Sequence, residues 1–534
     1  MTTAVSYRAT TAHWTITSDG CRRAGAPGAI LGHVDVDAGR CYRAFVSHDR
    51  RFDGRVFAGV ITTGVYCRPI CPVRPAKLEN SRFFGCAAAA EAAGFRPCRR
   101  CRPETSPGTP AWLGTSAVVS RGFRLISDGA LDEGGVEDLA TRLGLGGRQL
   151  RRLFAQHLGA SPALIAQARR LHFARMLIDQ TELPVTQVAF SAGFRSIRQF
   201  NHAVRKTFSE PPTALRRRRR GAPANAGELV LKLPYRPPFD WRGLIDFLAV
   251  RATPGVEAVQ GDIYRRTIEV NGAAGMIEVR PDAGEPCLLM HVALPSYEGL
   301  LHVVERVRRL FDLGAAPSEI RTQLRRSPLL RALVDVSPGL RVPGAWDGFE
   351  LAVRAVLGEQ VTVRGATTLC GRLVRVWGQP VSVSGAGLTH LFPKPVRLAD
   401  ADCSRVGIPR GRAATVRALA SAVASGELVL DASRGLEDAV ARLCAIPGLG
   451  VRTAHYIAMR ALGEPDAFPS ADLGPRRAAA YERNPLSAAA LSRMAEAWRP
   501  WRAYAAMYLW TAAARRFRRR ARGLTPERRV RAIA

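Results

Sequence analysis

Leu443-Cys-Ala-Ile-Pro-Gly448-Leu-Gly450-Val-Arg-Thr-Ala454 reads as the end of one helix, a tight hairpin built on two glycines, and the start of a second helix. Glycine has no Cβ to hold a polyanion off. Gly448 and Gly450 can therefore bring backbone N–H groups onto a phosphate at the positive end of the helix that follows. Alone, such a hairpin speaks only for contact with a DNA backbone. Working outward, Asp472 stands 22 residues beyond Gly450, inside Ala467-Phe-Pro-Ser-Ala-Asp-Leu-Gly474. A carboxylate in that position also reads as a helix N-cap, and the same side chain can serve both ends. From about residue 312 onward the apolar spacing is helical.

Upstream, over residues 228–311, the period changes. Glu228-Leu-Val-Leu-Lys-Leu233, Tyr264-Arg-Arg-Thr-Ile-Glu-Val270, Gly275-Met-Ile-Glu-Val279 and Leu288-Leu-Met-His-Val-Ala293 alternate like strands, with helical stretches near 240–251 and 298–311. That pattern predicts an antiparallel sheet with helices on one face. Residues 116–217 carry successive amphipathic helices broken by short glycine turns, an all-α unit. Residues 39–108 form a cysteine-rich module. Residues 1–38 show no period and read as an unstructured extension; Glu104–Pro110 and residues 218–227 read as linkers. The expected fold class is multidomain α+β.

With 534 residues several cores are needed, and 47% hydrophobic with 23% charged residues is a globular balance. The net charge of +33 is the outlier, and it points to a polyanion partner, because Lys and Arg neutralise phosphates and release counterions. Eleven cysteines would suit a secreted disulfide framework, but four of them form two close pairs within the stretch from Cys67 to Cys101. No run reaches the roughly 20 apolar residues of a membrane span, and the N-terminus has no secretion signal. A reducing cytoplasm with no membrane association is the expectation, and there clustered thiols mean metal or catalysis. Cys67-Arg-Pro-Ile-Cys71 and Cys98-Arg-Arg-Cys101 are spaced to close one tetrahedral Zn2+ site. Cys21, Cys41 and Cys86 fall outside the pairs and read as small hydrophobes.

The flanks say more. Thr63-Gly-Val-Tyr-Cys67-Arg-Pro-Ile-Cys71-Pro-Val-Arg-Pro, Asn80, Phe83-Phe84 and Ala92-Ala-Gly-Phe-Arg-Pro-Cys98-Arg-Arg-Cys101 closely resemble the N-terminal domain of Ada response proteins, over roughly residues 40–105. The resemblance implies zinc ligation by Cys67, Cys71, Cys98 and Cys101, with Cys67 also the nucleophile that takes a methyl group from a DNA methylphosphotriester. A thiolate is the attacking species, and each protein acts once.

Val136-Glu-Asp-Leu-Ala-Thr-Arg-Leu-Gly-Leu-Gly-Gly-Arg-Gln-Leu-Arg-Arg-Leu-Phe154 has the cadence of a helix-turn-helix, and Val185 to Phe208 repeats it. The pair resembles AraC-type DNA-binding domains. It implies recognition helices near 147–156 and 196–207, with Arg148, Arg151, Arg152, Arg195, Arg198, Gln199 and Asn201 as DNA contacts. Which of them read bases and which hold phosphate is open at this level.

Hairpin plus downstream Asp472, preceded by the sheet domain and followed by Trp498-Arg-Pro-Trp-Arg-Ala-Tyr-Ala505, resembles the AlkA glycosylases of the helix-hairpin-helix superfamily, over about 228–520. It implies base flipping and glycosidic cleavage, with Asp472 supporting the sugar cation and Tyr456 and Trp510 as aromatic walls. Two departures matter. An AlkA pocket aromatic is replaced by Arg452, which disfavours a cationic base if it points inward. Lyase relatives hold their Schiff-base Lys there, so a monofunctional enzyme is expected. At the inserting wedge stands Gln360, beside Glu359 in place of a more usual Gln. No Pro-Cys-His-Arg motif occurs, so direct demethylation of guanine oxygen is not expected, and no cysteine follows Cys444 to hold an iron–sulfur cluster.

These readings converge on a response to DNA alkylation: methyl acceptor, transcription activator and alkylpurine glycosylase in one chain. The expected partners are double-stranded DNA, alkylated or promoter, and RNA polymerase; the protein is read as a monomer associated with the nucleoid. The alternative is a zinc-dependent regulator whose glycosylase domain is a non-catalytic DNA clamp. An oxidised-base glycosylase-lyase is disfavoured by the missing Lys.

Overall fold

The computed structural model describes residues 37–107, 117–218, 229–382, 387–480 and 484–522, with no side-chain description after residue 515. The expected extension lies outside the described residues up to residue 36, as do most of the two expected linkers. The described part of the first linker is partly ordered, with a short 3-10 turn at Pro103–Thr105.

Asp37 caps the first helix, Ala38–Val46, accepting the Arg40 N–H at 3.0 Å. Beyond it four short strands form one sheet, in the spatial order Ser81–Phe84, Phe57–Val60, Val65–Cys67, Arg96–Pro97. Gly59 lets this small sheet close on its aromatic residues. A Cβ there would meet the Phe84 and Phe95 rings at 2.9 Å.

The regulatory unit holds two helix pairs, Val136–Arg142 with Gly147–Leu158 and Val185–Ser191 with Ile197–Phe208, bridged by the long helix Pro162–Gln180. Leu150, Phe154 and Leu158 recur at helical spacing and are buried, as are Phe200, Val204 and Phe208. The opposite faces therefore stay polar and open. Gly144 (φ 72°) and Gly193 (φ 80°) take the left-handed turns between the paired helices.

The next domain is a five-stranded antiparallel sheet, ordered Leu229–Pro234, Cys287–Ala293, Ala273–Pro281, Ile263–Val270, Glu257–Gln260. Its edge strand Glu257–Gln260 is one the alternation did not reveal, because four residues are too few to show a period. Helices Trp241–Ala249 and Leu300–Leu310 bury Leu244, Ile245, Val303 and Val307 in the same core as the strands.

The described residues of the remaining chain are helical or loop apart from one short antiparallel pair, Gln379–Pro380 with His390–Leu391. The helix Val451–Arg460 sits between two cores: Ala454 and Ile457 enter one, Ala458 and Met459 the other. That leaves one stripe, Arg452, Tyr456 and Arg460, a turn apart and on a common face.

Candidate functional site

The sulfurs of Cys67, Cys71, Cys98 and Cys101 all lie within 4.8 Å of one another. A tetrahedral zinc with Zn–S near 2.3 Å needs sulfurs roughly 3.8 Å apart, so the donor set fits one such ion. The sheet makes this possible. Tyr66 and Pro97 are parallel partners, so Cys67 and Cys98 leave neighbouring strands at the same level, and tight turns carry the chain to Cys71 and Cys101. Cys71, Cys98 and Cys101 are buried; Cys67 alone of the four is partly exposed. Cys41 and Cys86 lie in apolar cores, where burial pushes both thiols up to about 11. Cys21 lies outside the described residues.

Arg68 was not singled out by its sequence position. Between two ligand cysteines in a basic chain it looks like one more DNA contact. Instead it is buried and turned inward: Nε donates to Asp53 at 2.7 Å, Nη1 to the Cys101 carbonyl at 3.2 Å and to Thr105 Oγ1 at 2.8 Å, and its N–H to Cys101 Sγ at 3.3 Å. It straps the second cysteine pair to the first.

On the regulatory helices Arg148, Arg151, Arg152, Arg195, Arg198 and Gln199 are exposed, and Asn201 is half-buried. Two of them already have partners: Arg151 pairs with Glu137 at 2.6 Å, and Arg195 donates to the Asp132 carbonyl at 2.7 Å. The observed helices, Gly147–Leu158 and Ile197–Phe208, fall where the sequence placed recognition helices.

In the C-terminal domain a pocket of about 180 Å³ gathers Arg452, Tyr456, Asp472 and Trp510. Asp472 caps the helix Leu473–Ala478: its Oδ1 accepts the Gly474 N–H at 2.9 Å and the Trp510 indole N–H at 3.2 Å. Its Oδ2 faces Arg452 Nη1 at 3.6 Å. Gly474 is what lets the indole approach, since a Cβ there would meet Trp510 Cδ1 at 2.9 Å. Tyr456 and Trp510 meet edge to face, their centroids 6.0 Å apart. Arg460 donates to the Tyr456 hydroxyl at 2.7 Å. Burial alone would raise the Tyr456 phenol, but the guanidiniums of Arg460 and Arg251 outweigh it and hold it below its usual range.

Among the pocket's charged members, sequence reading missed Arg251, Arg354 and Arg460. Arg460 follows Tyr456 by one helical turn, a signal that could have found it. Arg251 and Arg354 come from other elements and carried none. Arg354 is tied to Glu257 at 2.7 Å and Glu350 at 3.1 Å, within a buried network that includes Arg266 and Tyr264. This network joins the sheet domain to the pocket wall.

Gly448 has φ 85°, and a Cβ on it would strike Thr415 Oγ1 at 2.1 Å, so the hairpin itself demands glycine. At Gly450 a Cβ would meet nothing within 4 Å. Gly450 is exposed, and the space a side chain would take is open. Gln360 is exposed, with φ 55°, between the pocket-lining Gly358 and Val361. Glu359 accepts a short hydrogen bond from the Thr453 hydroxyl, at the start of the helix that carries Arg452.

Three family models match consecutive stretches: the metal binding domain of Ada over residues 40–104, a helix-turn-helix domain over 139–218, and the AlkA N-terminal domain over 230–347. A probable bifunctional transcriptional activator/DNA repair enzyme AlkA of Mycobacterium tuberculosis is 47% identical over 484 residues, spanning 90% of this chain and 97% of that protein. The chain belongs to this AlkA-type activator/repair family. Its halves have separate relatives. DNA-3-methyladenine glycosylase 2 of Escherichia coli is 33% identical over 52% of this chain and 95% of its own length. The bifunctional transcriptional activator/DNA repair enzyme Ada of the same organism is 33% identical over 29% of this chain and 42% of its own. The family's two halves are joined here in one polypeptide, and DNA is the partner common to both.

Proposed function

We propose that this protein answers DNA alkylation in three ways: it accepts a methyl group from DNA methylphosphotriesters, activates repair-gene transcription, and excises alkylated purines. The observation that carries the excision reading is the convergence of Asp472, Tyr456 and Trp510 on one pocket. A purine flipped from the duplex enters against the two aromatic faces, with the sugar toward Asp472. Trp510 and Gly474 fix the carboxylate before substrate arrives, and its charge stabilises the cation that develops at C1′ and orients the attacking water. Arg452 offers a guanidinium and not an amine nucleophile, so the product is an abasic site on an intact strand. Gly448 and Gly450 hold the backbone, and Gln360 enters the space the base has left.

At the cysteine cluster, a zinc ion bound by Cys67, Cys71, Cys98 and Cys101 supplies the positive charge that keeps sulfur as thiolate at neutral pH. Cys67 is the nucleophile, and its greater exposure than the other three supports this. Its sulfur attacks the methyl carbon, the C–O bond breaks, and the phosphodiester leaves as an anion. One negative sulfur becomes a neutral thioether, which weakens the repulsion between the module and DNA phosphates.

The tandem helix pairs carry Arg148, Arg151, Arg152, Arg195, Arg198, Gln199 and Asn201 to DNA. Two reading heads in one chain need no second copy, which supports a monomer. An activator of this kind works by engaging RNA polymerase, on the nucleoid in the cytoplasm. We place the functional units at 39–108, 116–217, 228–311 and 312–522, with residues 218–227 as a linker and residues 1–38 as an extension. Excision from a duplex bearing a single alkylated purine, compared between wild type and Asp472→Asn, tests the enzymatic reading. Equal rates would overturn it, and no excision by wild type would leave the DNA clamp.

A further inference from the structure

Four guanidiniums line the pocket that holds Asp472: Arg251, Arg354, Arg452 and Arg460. Arg354 is balanced from behind by Glu257 and Glu350. Arg460 is held by the Pro343 and Gly344 carbonyls at 2.8 and 3.0 Å, and Arg251 by the Phe247 carbonyl at 3.1 Å. Arg460 also donates to the Tyr456 hydroxyl; with these partners neither cation is paired with a carboxylate among the described residues. Asp472 is the sole carboxylate among the lining residues, and Arg452 stands 3.6 Å from it. A base entering this pocket meets excess positive charge, and the Arg452 part of that charge sits beside Asp472.

Such a pocket sorts its substrates by charge. A purine alkylated at N3 or N7 carries a positive charge and is repelled. A neutral adduct whose ring nitrogens or exocyclic oxygen still accept hydrogen bonds finds donors instead. The chemistry sharpens the contrast. As the C1′–N9 bond breaks, its electron pair goes to the purine and water oxygen bonds to C1′; the proton that water loses ends on the departing base when the purine was neutral, and in solvent when it was cationic. A cationic purine leaves neutral and needs no help. A neutral purine leaves with developing negative charge, which a guanidinium stabilises by donating a hydrogen bond while keeping its own proton.

We infer that Arg452 is a specificity-determining residue that turns this pocket toward neutral purine adducts and away from cationic N-alkylpurines. The inference rests on the excision reading above. Its test is single-turnover excision by the full-length protein on duplexes carrying one 1,N6-ethenoadenine, a neutral adduct, or one 7-methylguanine, a cation. Wild type is compared with Arg452→Gln and with the charge-keeping Arg452→Lys. In Arg452→Gln the ethenoadenine rate falls and the 7-methylguanine rate rises, lowering the ratio of the two at least tenfold; Arg452→Lys keeps most of the ratio. A ratio unmoved in Arg452→Gln, or an ethenoadenine rate that rises, overturns the inference while leaving excision standing. Wild-type excision of neither lesion overturns both.

Discussion

Arg68 and Asp53 form a buried ion pair directly behind the cysteine cluster, Nε to Oδ1 at 2.7 Å, with both side chains under one-tenth exposed. Neither residue can touch a metal, yet the pair holds the loop that presents Cys101. Removing one partner leaves a buried charge uncompensated, which costs about 3–5 kcal/mol. Asp53→Ala is therefore expected to lower the melting temperature and to speed zinc loss to a chelator. Unchanged metal-release kinetics would show that the strap is not needed.

Purified protein is expected to carry one zinc per chain. Cys98→Ala and Cys101→Ala each break the four-sulfur set, and elemental analysis should find metal content well below one equivalent. Full occupancy in either variant, with wild-type melting, would rule out ligation by all four sulfurs.

Methyl transfer is expected on a single sulfur. After incubation with methylated DNA, peptide mass spectrometry should find one added methyl on Cys67, and promoter affinity should rise in the methylated protein. A methyl on Cys71, or none on a zinc-loaded sample, contradicts the assignment.

Asp472→Asn keeps the cap and the shape but removes the charge. Electrostatic support of this kind is worth roughly 3–4 kcal/mol, so excision should fall by about a hundredfold or more while duplex binding persists. Wild-type product should be an abasic site with no borohydride-trapped adduct. Trapping would reveal an amine nucleophile elsewhere in the pocket.

Asp312 offers a pH signature. Burial raises its carboxyl to about 6, against the pull of Arg341 and the Tyr504 hydroxyl bonded to it at 2.8 Å. The folded value lies above the unfolded one, so the native state binds more protons between them. Stability is then favoured below about pH 4 and declines as pH rises through 6, by about 3 kcal/mol for a shift of roughly two units. Asp312→Asn should lose that decline: relative to wild type, its melting temperature should improve from pH 4 to pH 7. Parallel curves would refute this.

Much of this molecule was legible along the chain because its signals are local. A four-sulfur cluster is announced by close cysteine pairs at Cys67–Cys71 and Cys98–Cys101, and a tight turn between two helices by Gly448 and Gly450. Paired recognition helices show as apolar residues one turn apart. Asp472 and Trp510 could be named from motif position, and the fold brings them to 3.2 Å. The short edge strand Glu257–Gln260 and the pair Gln379–Pro380 with His390–Leu391 were not legible, since two to four residues show no period.

What tertiary structure alone decided is charge. Along the chain every Arg in a +33 protein looks like a phosphate contact. Folded, Arg68 strapped the cysteine loop, Arg354 joined a buried carboxylate network, and Arg251 and Arg460 turned into the pocket beside Arg452. The reason is physical. Periodicity and spacing are properties of neighbours in sequence, whereas a guanidinium's role is set by the dielectric and the carboxylates around its tip, which the fold brings from other elements, as it brings Glu257 to Arg354 and Asp53 to Arg68.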